Sequence, residues 1–121
     1  MTDHERWLEG IDRLGTGNVQ DAADFLADLD PESLSPEQYL QLAERLESLQ
    51  QLELAAVLLE GALQAHDRIP GLWLGLARLR QALDQPEAAM RAAEEAVHLE
   101  DESIDLWLFL AEIQVEANRA N

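Results

Sequence analysis

Leu72-Trp73-Leu74-Gly75-Leu76-Ala77 recurs 34 residues later as Leu106-Trp107-Leu108-Phe109-Leu110-Ala111, with five of the six positions unchanged. The same spacing extends toward the N-terminus, where an aromatic residue, a leucine and an alanine stand as Tyr39, Leu42 and Ala43. A second pattern shares this period, since three small or apolar residues recur in two sets, Ala55, Leu59 and Ala62, then Ala89, Ala93 and Ala96. A fixed period of this length indicates a protein built from repeated supersecondary units.

The residue types in both patterns fit α-helices. An aromatic residue, a leucine three positions later and an alanine directly after it lie on one face of a helix. Because alanine is small, Ala43, Ala77 and Ala111 would let a neighbouring helix approach closely. The first pattern therefore predicts one helix of each unit, and the alanines of the second pattern predict its partner helix.

Start signals for helices fall where this division needs them. Ser35-Pro36-Glu37-Gln38 combines a capping serine, a proline at the first helical position and a glutamine three residues after the cap. Asp84-Gln85-Pro86-Glu87 repeats the same logic for a later helix. Together the patterns predict helices at about 4–14, 19–29, 36–49, 52–66, 70–83, 86–99 and 103–118.

The period and the residue pattern resemble the tetratricopeptide repeat, a helix-turn-helix unit of 34 residues. The resemblance implies an all-α fold, an α-solenoid of about three units plus a C-terminal helix. It implies one domain over 1–121, with a degenerate repeat at 4–34, repeats at 36–69 and 70–103, and a terminal or capping helix at 104–118. The chain departs from the family where tyrosine or proline is usual, at Leu46, Arg80, Gln114, Asp67 and Asp101.

The composition fits one packed domain. A chain of 121 residues with 47% hydrophobic content is long enough to bury a core. It has no cysteine, which excludes disulfides, thiolate metal sites and cysteine nucleophiles. The N-terminal residues lack a basic segment followed by an apolar one, and no apolar run reaches about 18 residues. We therefore expect a soluble, cytoplasmic protein, unless the sequence is a piece of a longer one.

The charge is strongly unbalanced. The chain has 25 aspartates and glutamates against eight arginines, with no lysine, for a formal net charge of −17. Phosphate backbones and anionic membranes are bound through lysine and arginine, so we expect neither nucleic acid nor membrane as a partner. A codon preference for arginine or adaptation to a salty cytoplasm would explain the acidity as well as an acidic binding face would.

Motifs for catalysis are absent from the sequence: it contains no glycine-rich phosphate loop, HExxH, GxSxG or calcium-binding loop. The histidines have no second histidine at metal-binding spacing and are interpreted as solvated or as helix-end residues: His4, His66 and His98. The tryptophans are expected in the core: Trp7, Trp73 and Trp107. We expect no enzymatic activity, no metal and no cofactor.

In the family that this chain resembles, the first helices of the units line a concave groove that binds ligands. Transferred position by position, the peptide-binding groove would comprise Leu40, Glu44, Glu47, Leu74, Arg78, Gln81, Leu108, Glu112 and Glu116. This mixture of apolar and acidic residues suits a protein or peptide with apolar and basic character. The family's clamp for a C-terminal carboxylate is excluded, because Glu44 and Glu112 would repel such a group.

The leading functional interpretation is a non-enzymatic protein–protein interaction module or scaffold that binds a peptide or helix in this acidic and apolar groove. Two alternatives stay open. One is a small acidic chaperone that shields a client segment and resembles the tetratricopeptide chaperones of bacterial secretion systems. The other is a self-assembling structural protein.

The last predicted helix has no further helix after it to cover its free side. We predict that Trp107, Leu110 and Ala111 pack inward against the helix before it. Other apolar residues would then form an exposed oligomer or partner strip of Leu106, Phe109, Ile113 and Val115. This strip predicts a missing next helix, if the sequence is a fragment, or a docked partner, most simply a second copy in a homodimer through the C-terminal helix.

Overall fold

The computed structural model describes Glu5 and residues 34–120. Five helices cover most of that range, and it contains no strand: α1 (Pro36–Ser48), α2 (Leu52–Ala65), α3 (Pro70–Ala82), α4 (Pro86–Leu99) and α5 (Ile104–Ala120). The all-α prediction is confirmed, and the predicted helices from residue 36 onward are present to within a few residues. The helices predicted at 4–14 and 19–29, with the repeat at 4–34 and Trp7, lie outside the described residues.

The helices pack in chain order, as expected of a helical solenoid. Each of the first four helices contacts the next one along the chain, and α1 also touches α3. Connections of three or four residues separate the helices, which forces neighbours in sequence to be neighbours in space. The result places α1, α3 and α5 as alternate members of one helical stack.

The predicted start of α1 is confirmed in atomic detail. The Ser35 hydroxyl accepts a hydrogen bond from the backbone N–H of Gln38 at 3.2 Å. The Gln38 side-chain oxygen accepts one in return from the backbone N–H of Ser35 at 2.9 Å. This reciprocal capping box satisfies two backbone donors that the first turn of a helix leaves unpaired.

The turns after α1 and α3 share one conformation. Gln50 and Asp84, which are 34 residues apart, both adopt positive φ, at 62° and 60°. The next residue in each turn donates back into the helix, from Gln51 N–H to Leu46 O and from Gln85 N–H to Arg80 O, each at 2.8 Å. These bonds satisfy carbonyl groups that would otherwise stay free at the helix end, so the period of the sequence is also a period of the backbone.

One continuous apolar core runs through the stack. Its largest fully buried side chains are Tyr39, Leu42, Leu46, Leu59, Leu72 and Ile113. Between them the alanines of both sequence patterns are buried, among them Ala55, Ala77, Ala89 and Ala96, each with no exposed surface. Alternation of large and small residues lets the helices interdigitate at close range. Among the described residues, no polar or charged side chain is buried in this core.

Candidate protein-binding surfaces

The nine residues predicted to line the groove all lie on the alternate helices α1, α3 and α5. Six of them are exposed, namely Glu44, Glu47, Arg78, Leu108, Glu112 and Glu116, whereas Leu40, Leu74 and Gln81 are half-buried. The exposed set contains four carboxylates and one guanidinium. The available surface on these helices is therefore acidic, with apolar side chains between the charges.

Contacts between α3 and α5 bring several of these residues together. The Gln81 side-chain amide donates a hydrogen bond to a carboxylate oxygen of Glu116 at 2.6 Å. One turn earlier, the Arg78 guanidinium carbon lies 5.9 Å from the centre of the Phe109 ring, within the range of a cation–π interaction. These two contacts connect side chains of α3 and α5 and place Phe109 beside the predicted groove residue Arg78.

Leu40, which is predicted to line the groove, is also a packing residue. Gly75 on α3 leaves room for it, because a Cβ atom at Gly75 would lie 3.3 Å from Leu40 Cδ2 and 3.1 Å from Leu59 Cδ1. A Cβ atom at Gly71 would meet Leu40 Cδ1 at 3.7 Å. The leucine therefore lies against the glycine side of α3, and only part of it is available to a ligand.

Two tryptophans tie their helices to the preceding turn, a feature that the sequence analysis missed. The Trp73 indole N–H donates to the backbone carbonyl of Asp67 at 2.8 Å, and the Trp107 indole N–H donates to that of Asp101 at 2.7 Å. Both bonds span six residues. A recurring aspartate six positions before each tryptophan was the available signal, since both pairs keep the 34-residue period.

The tryptophan rings are less buried than predicted. Trp73 packs partly buried against the core, whereas Trp107 is 50% exposed. The prediction that Trp107 lies in the core is wrong. At the equivalent position of α1, Tyr39 is buried, and its ring meets the His66 ring edge-on, with centroids 6.2 Å apart. His66 Nε2 donates to the Leu34 carbonyl at 3.1 Å, which gives this histidine a structural role at the end of α2.

A pocket of about 350 Å³ lies where α4 meets α5. Its walls combine the Trp107 indole with apolar and acidic residues: Glu94, Val97, His98, Asp101, Trp107 and Leu110. The equivalent place one unit earlier, between α2 and α3, is occupied by an arginine of the chain itself. There the Arg80 guanidinium pairs with Glu60 and donates to the Gln85 side chain. Gln114 stands at the position of Arg80, so no equivalent guanidinium enters the pocket beside Glu94.

The side of α5 that faces solvent is strongly apolar. Ile104 is 75% exposed, Leu108 58% and Val115 51%, and Trp107 and Ala111 are exposed beside them. Their spacing of three, four and seven residues puts all five on one stripe of the helix. We call this stripe, Ile104, Trp107, Leu108, Ala111 and Val115, the outer face of α5.

Residues 70–113 match the family model of the tetratricopeptide repeat. The helix pair α3–α4 and the first part of α5 are therefore similar to the tetratricopeptide repeat. The match covers both helices of that pair and continues into α5. No curated protein matches the chain significantly. Repeats of this family generally mediate protein–protein interaction.

The burial of α5 contradicts the predicted partner strip at Leu106 and Ile113. Leu106 and Ile113 are buried in the core, and Phe109 packs half-buried against it, so only Val115 is exposed. In α5 the buried residues of this region are Leu106, Leu110 and Ile113.

The alanine position behaves in the opposite way. Ala77 is fully buried in α3, whereas Ala111 is exposed in α5 and does not pack inward as predicted. Within residues 34–120 a second helix follows α3 but none follows α5. The alanine and the aromatic residue of the repeat therefore face the second helix of their own unit. The prediction assumed that they face the preceding helix, and it therefore assigned the wrong side of α5 to the core. Of the three residues predicted inward, Leu110 alone is buried.

No helix among the described residues combines the length and the hydropathy needed to cross a lipid bilayer.

Proposed function

We propose that this protein is a non-enzymatic interaction module that binds a basic, amphipathic peptide or helix across the groove residues of α1, α3 and α5. The observation that carries the proposal is the acidic, apolar composition of the exposed groove residues. Leu108 offers apolar contact, while Glu44, Glu47, Glu112 and Glu116 offer four carboxylates. An arginine or lysine on the ligand gains charge-assisted hydrogen bonds from such groups.

The contacts between α3 and α5 support a preformed surface. The Gln81–Glu116 hydrogen bond and the Arg78–Phe109 contact hold these side chains before any ligand arrives. A surface whose side chains are already fixed loses less conformational entropy on binding, which favours affinity. Arg78 also adds one positive point on an otherwise acidic surface, so an acidic residue on the ligand has a defined place.

The test uses two labelled 14-residue helical peptides with the same leucine face, one carrying arginine and the other glutamate at the polar positions. Fluorescence anisotropy measures their affinity for the wild type and for two variants of equal charge change. Glu44→Gln with Glu47→Gln removes groove carboxylates of α1, whereas Glu53→Gln with Glu87→Gln removes exposed carboxylates from α2 and α4. The glutamate peptide serves as the control for charge.

We expect the arginine peptide to bind and the groove variant to weaken it about fivefold or more, which corresponds to about 1 kcal/mol. The control variant should change its affinity by less than about twofold. Equal losses in the two variants would mean that the net charge attracts the peptide without a defined site. Tighter binding of the glutamate peptide would refute the acidic groove directly.

A further inference from the structure

We propose that the outer face of α5 is a second docking site, which binds one basic amphipathic helix of a partner protein in the way that α4 covers α3. This inference does not rest on the groove, because Ile104, Trp107, Ala111 and Val115 are not groove residues, although the two surfaces meet at Leu108. It rests on a comparison that the molecule itself supplies, between two copies of one motif in different surroundings.

Helix α3, which is covered by α4, shows what shape of helix fits the outer face of α5. In α3 the positions equivalent to the outer face are Pro70, Trp73, Leu74, Ala77 and Gln81, all buried or half-buried. Ala77 has no exposed surface. Within the described range, α3 is followed by a helix, α4, whereas α5 is not. The buried side of α4 consists largely of alanines, namely Ala89, Ala92, Ala93 and Ala96. A helix with small residues every three or four positions is thus the shape that fits this face.

The outer face of α5 is more apolar than the equivalent face of α3, although it is exposed to water. A solenoid helix face in contact with water normally has polar side chains. Here the substitutions between the copies run the other way: Pro70 becomes Ile104 and Gln81 becomes Val115. The exposed copy is therefore more apolar than the covered one at both ends. An exposed apolar stripe of this kind marks an interaction site.

Negative charge on both sides of the outer face favours a basic partner helix over a second copy of this chain. Asp105, Glu112 and Glu116 are exposed along one side of the outer face, and Glu94 and Asp101 border the pocket beside Trp107 on the other. A two-fold contact between outer faces would bring carboxylates of both copies together, in a chain of net charge −17. A helix with arginine or lysine along both edges meets complementary charge instead.

The pocket gives that helix a point of specificity. Its volume of about 350 Å³ accommodates a long side chain between the Trp107 indole and the carboxylates of Glu94 and Asp101. One unit earlier, the chain places Arg80 against Glu60 at the equivalent corner. An arginine from the partner would take the role that Arg80 has there, and it would stack on an aromatic face as well.

The test uses a probe taken from the protein itself. A labelled peptide of residues 85–100 carries Glu87→Lys, Glu94→Lys and Glu95→Lys, which change exposed positions of α4 and make its polar edges basic. The unmodified acidic peptide and a scrambled version of the basic one are the controls. Binding is measured by anisotropy of the label and by tryptophan emission of the protein, with Trp107→Phe to assign the emission change.

Two protein variants of identical chemistry locate the site. Ala111→Glu with Val115→Glu alters the outer face, and Ala82→Glu with Val57→Glu makes the same exchange at exposed positions of α3 and α2. We expect the basic peptide to bind the wild type and the control variant, and to lose about tenfold or more on the outer-face variant. Glu44→Gln with Glu47→Gln should leave this affinity within about twofold, which separates the inference from the groove.

Three results would overturn the proposal. The first is equal affinity of the two glutamate variants. The second is equal binding of the scrambled peptide. The third, by light scattering after size exclusion, is a wild-type dimer that Ala111→Glu with Val115→Glu converts to a monomer, since the occupant would then be a second copy. The total tryptophan emission of the wild type is measured without a variant, and an unchanged emission at saturating basic peptide would also overturn the proposal even if a variant failed to fold.

Discussion

Helices α3 and α5 share five of the six residues of the LWLxLA motif, yet they bury different parts of it. Leu72 and Leu76 in α3 and Leu106 and Leu110 in α5 are all buried. The alanine is fully buried in α3 and exposed in α5, and the tryptophan is more exposed in α5 as well. The motif therefore encodes two contact faces, and the neighbours present decide how many of them are used.

The interfaces in front of these two helices differ in a complementary way. Leu59 of α2 lies against Gly75 of α3, whereas the equivalent positions at the next interface are Ala93 and Phe109. A large residue facing a small one is replaced by a small one facing a large one. Each interface therefore pairs one large residue with one small residue, which lets both helix pairs pack closely.

The largest expected effect comes from breaking this exchange. Gly75→Phe should destabilise the protein by about 3 kcal/mol, because the ring would overlap the space of Leu59. Adding Leu59→Ala recreates the combination found at the other interface, and we expect it to restore about 1–2 kcal/mol of that loss. Urea denaturation of the two single variants and the double variant measures the coupling. Additive effects would show that the two interfaces are not equivalent.

The next effect separates the two copies directly. Ala77→Leu should cost about 1–3 kcal/mol, since extra methylenes at a fully buried crossing force the helices apart. Ala111→Leu should change the free energy of unfolding by less than about 0.5 kcal/mol, as is usual for exposed positions. Denaturation curves of the two variants give both numbers. Similar losses at the two alanines would mean that something covers the outer face of α5.

A smaller effect sharpens the comparison of the two corners. Arg80→Gln gives α3 the residue that α5 has at Gln114, and it removes the pairing with Glu60 and the hydrogen bond to Gln85. Glu60 is half-exposed, so we expect a loss of only about 0.2–1 kcal/mol. Arg91→Gln, which removes an exposed arginine from α4, is the control for net charge. A control that loses as much as Arg80→Gln would assign the effect to overall charge.

Salt is expected to have the smallest effect on the difference in stability between the α3 and α5 variants. The 25 carboxylates repel one another, and raising KCl from 0.1 to 1 M shortens the screening length from about 10 to about 3 Å. The Tm of the wild type should rise accordingly. The difference in Tm between Ala77→Leu and Ala111→Leu should not change, because it reflects packing. A flat or falling Tm of the wild type would contradict the repulsion.

Much of the fold could be predicted from the sequence because its signals are local and repeated. The capping box at Ser35, the prolines at helix starts and the 34-residue period each fix a boundary without reference to the rest of the chain. The resemblance to the tetratricopeptide repeat follows from the same period, and the family model matches it over residues 70–113.

The orientation of α5 could not be predicted in the same way. Its apolar residues occupy two opposite sides, so the pattern alone does not decide whether Ile113 or Ala111 faces the core. That choice depends on which side of α5 meets α4, which is a property of packing. The pocket beside Trp107 also arises only when the end of α4, the following turn and α5 meet in space.

Helix α5 exposes the alanine face that α3 buries. Because the sequence has no cysteine, a thiol introduced at each alanine position measures this difference in accessibility directly. Ala77→Cys and Ala111→Cys each place one thiol at equivalent positions, and iodoacetamide, which is uncharged, labels them without repulsion from the acidic surface. We predict that Ala111→Cys reacts within about tenfold of a free thiol, whereas Ala77→Cys is slower by about a hundredfold or more until denaturant opens the fold. Equal rates for the two thiols in the native protein would contradict the account.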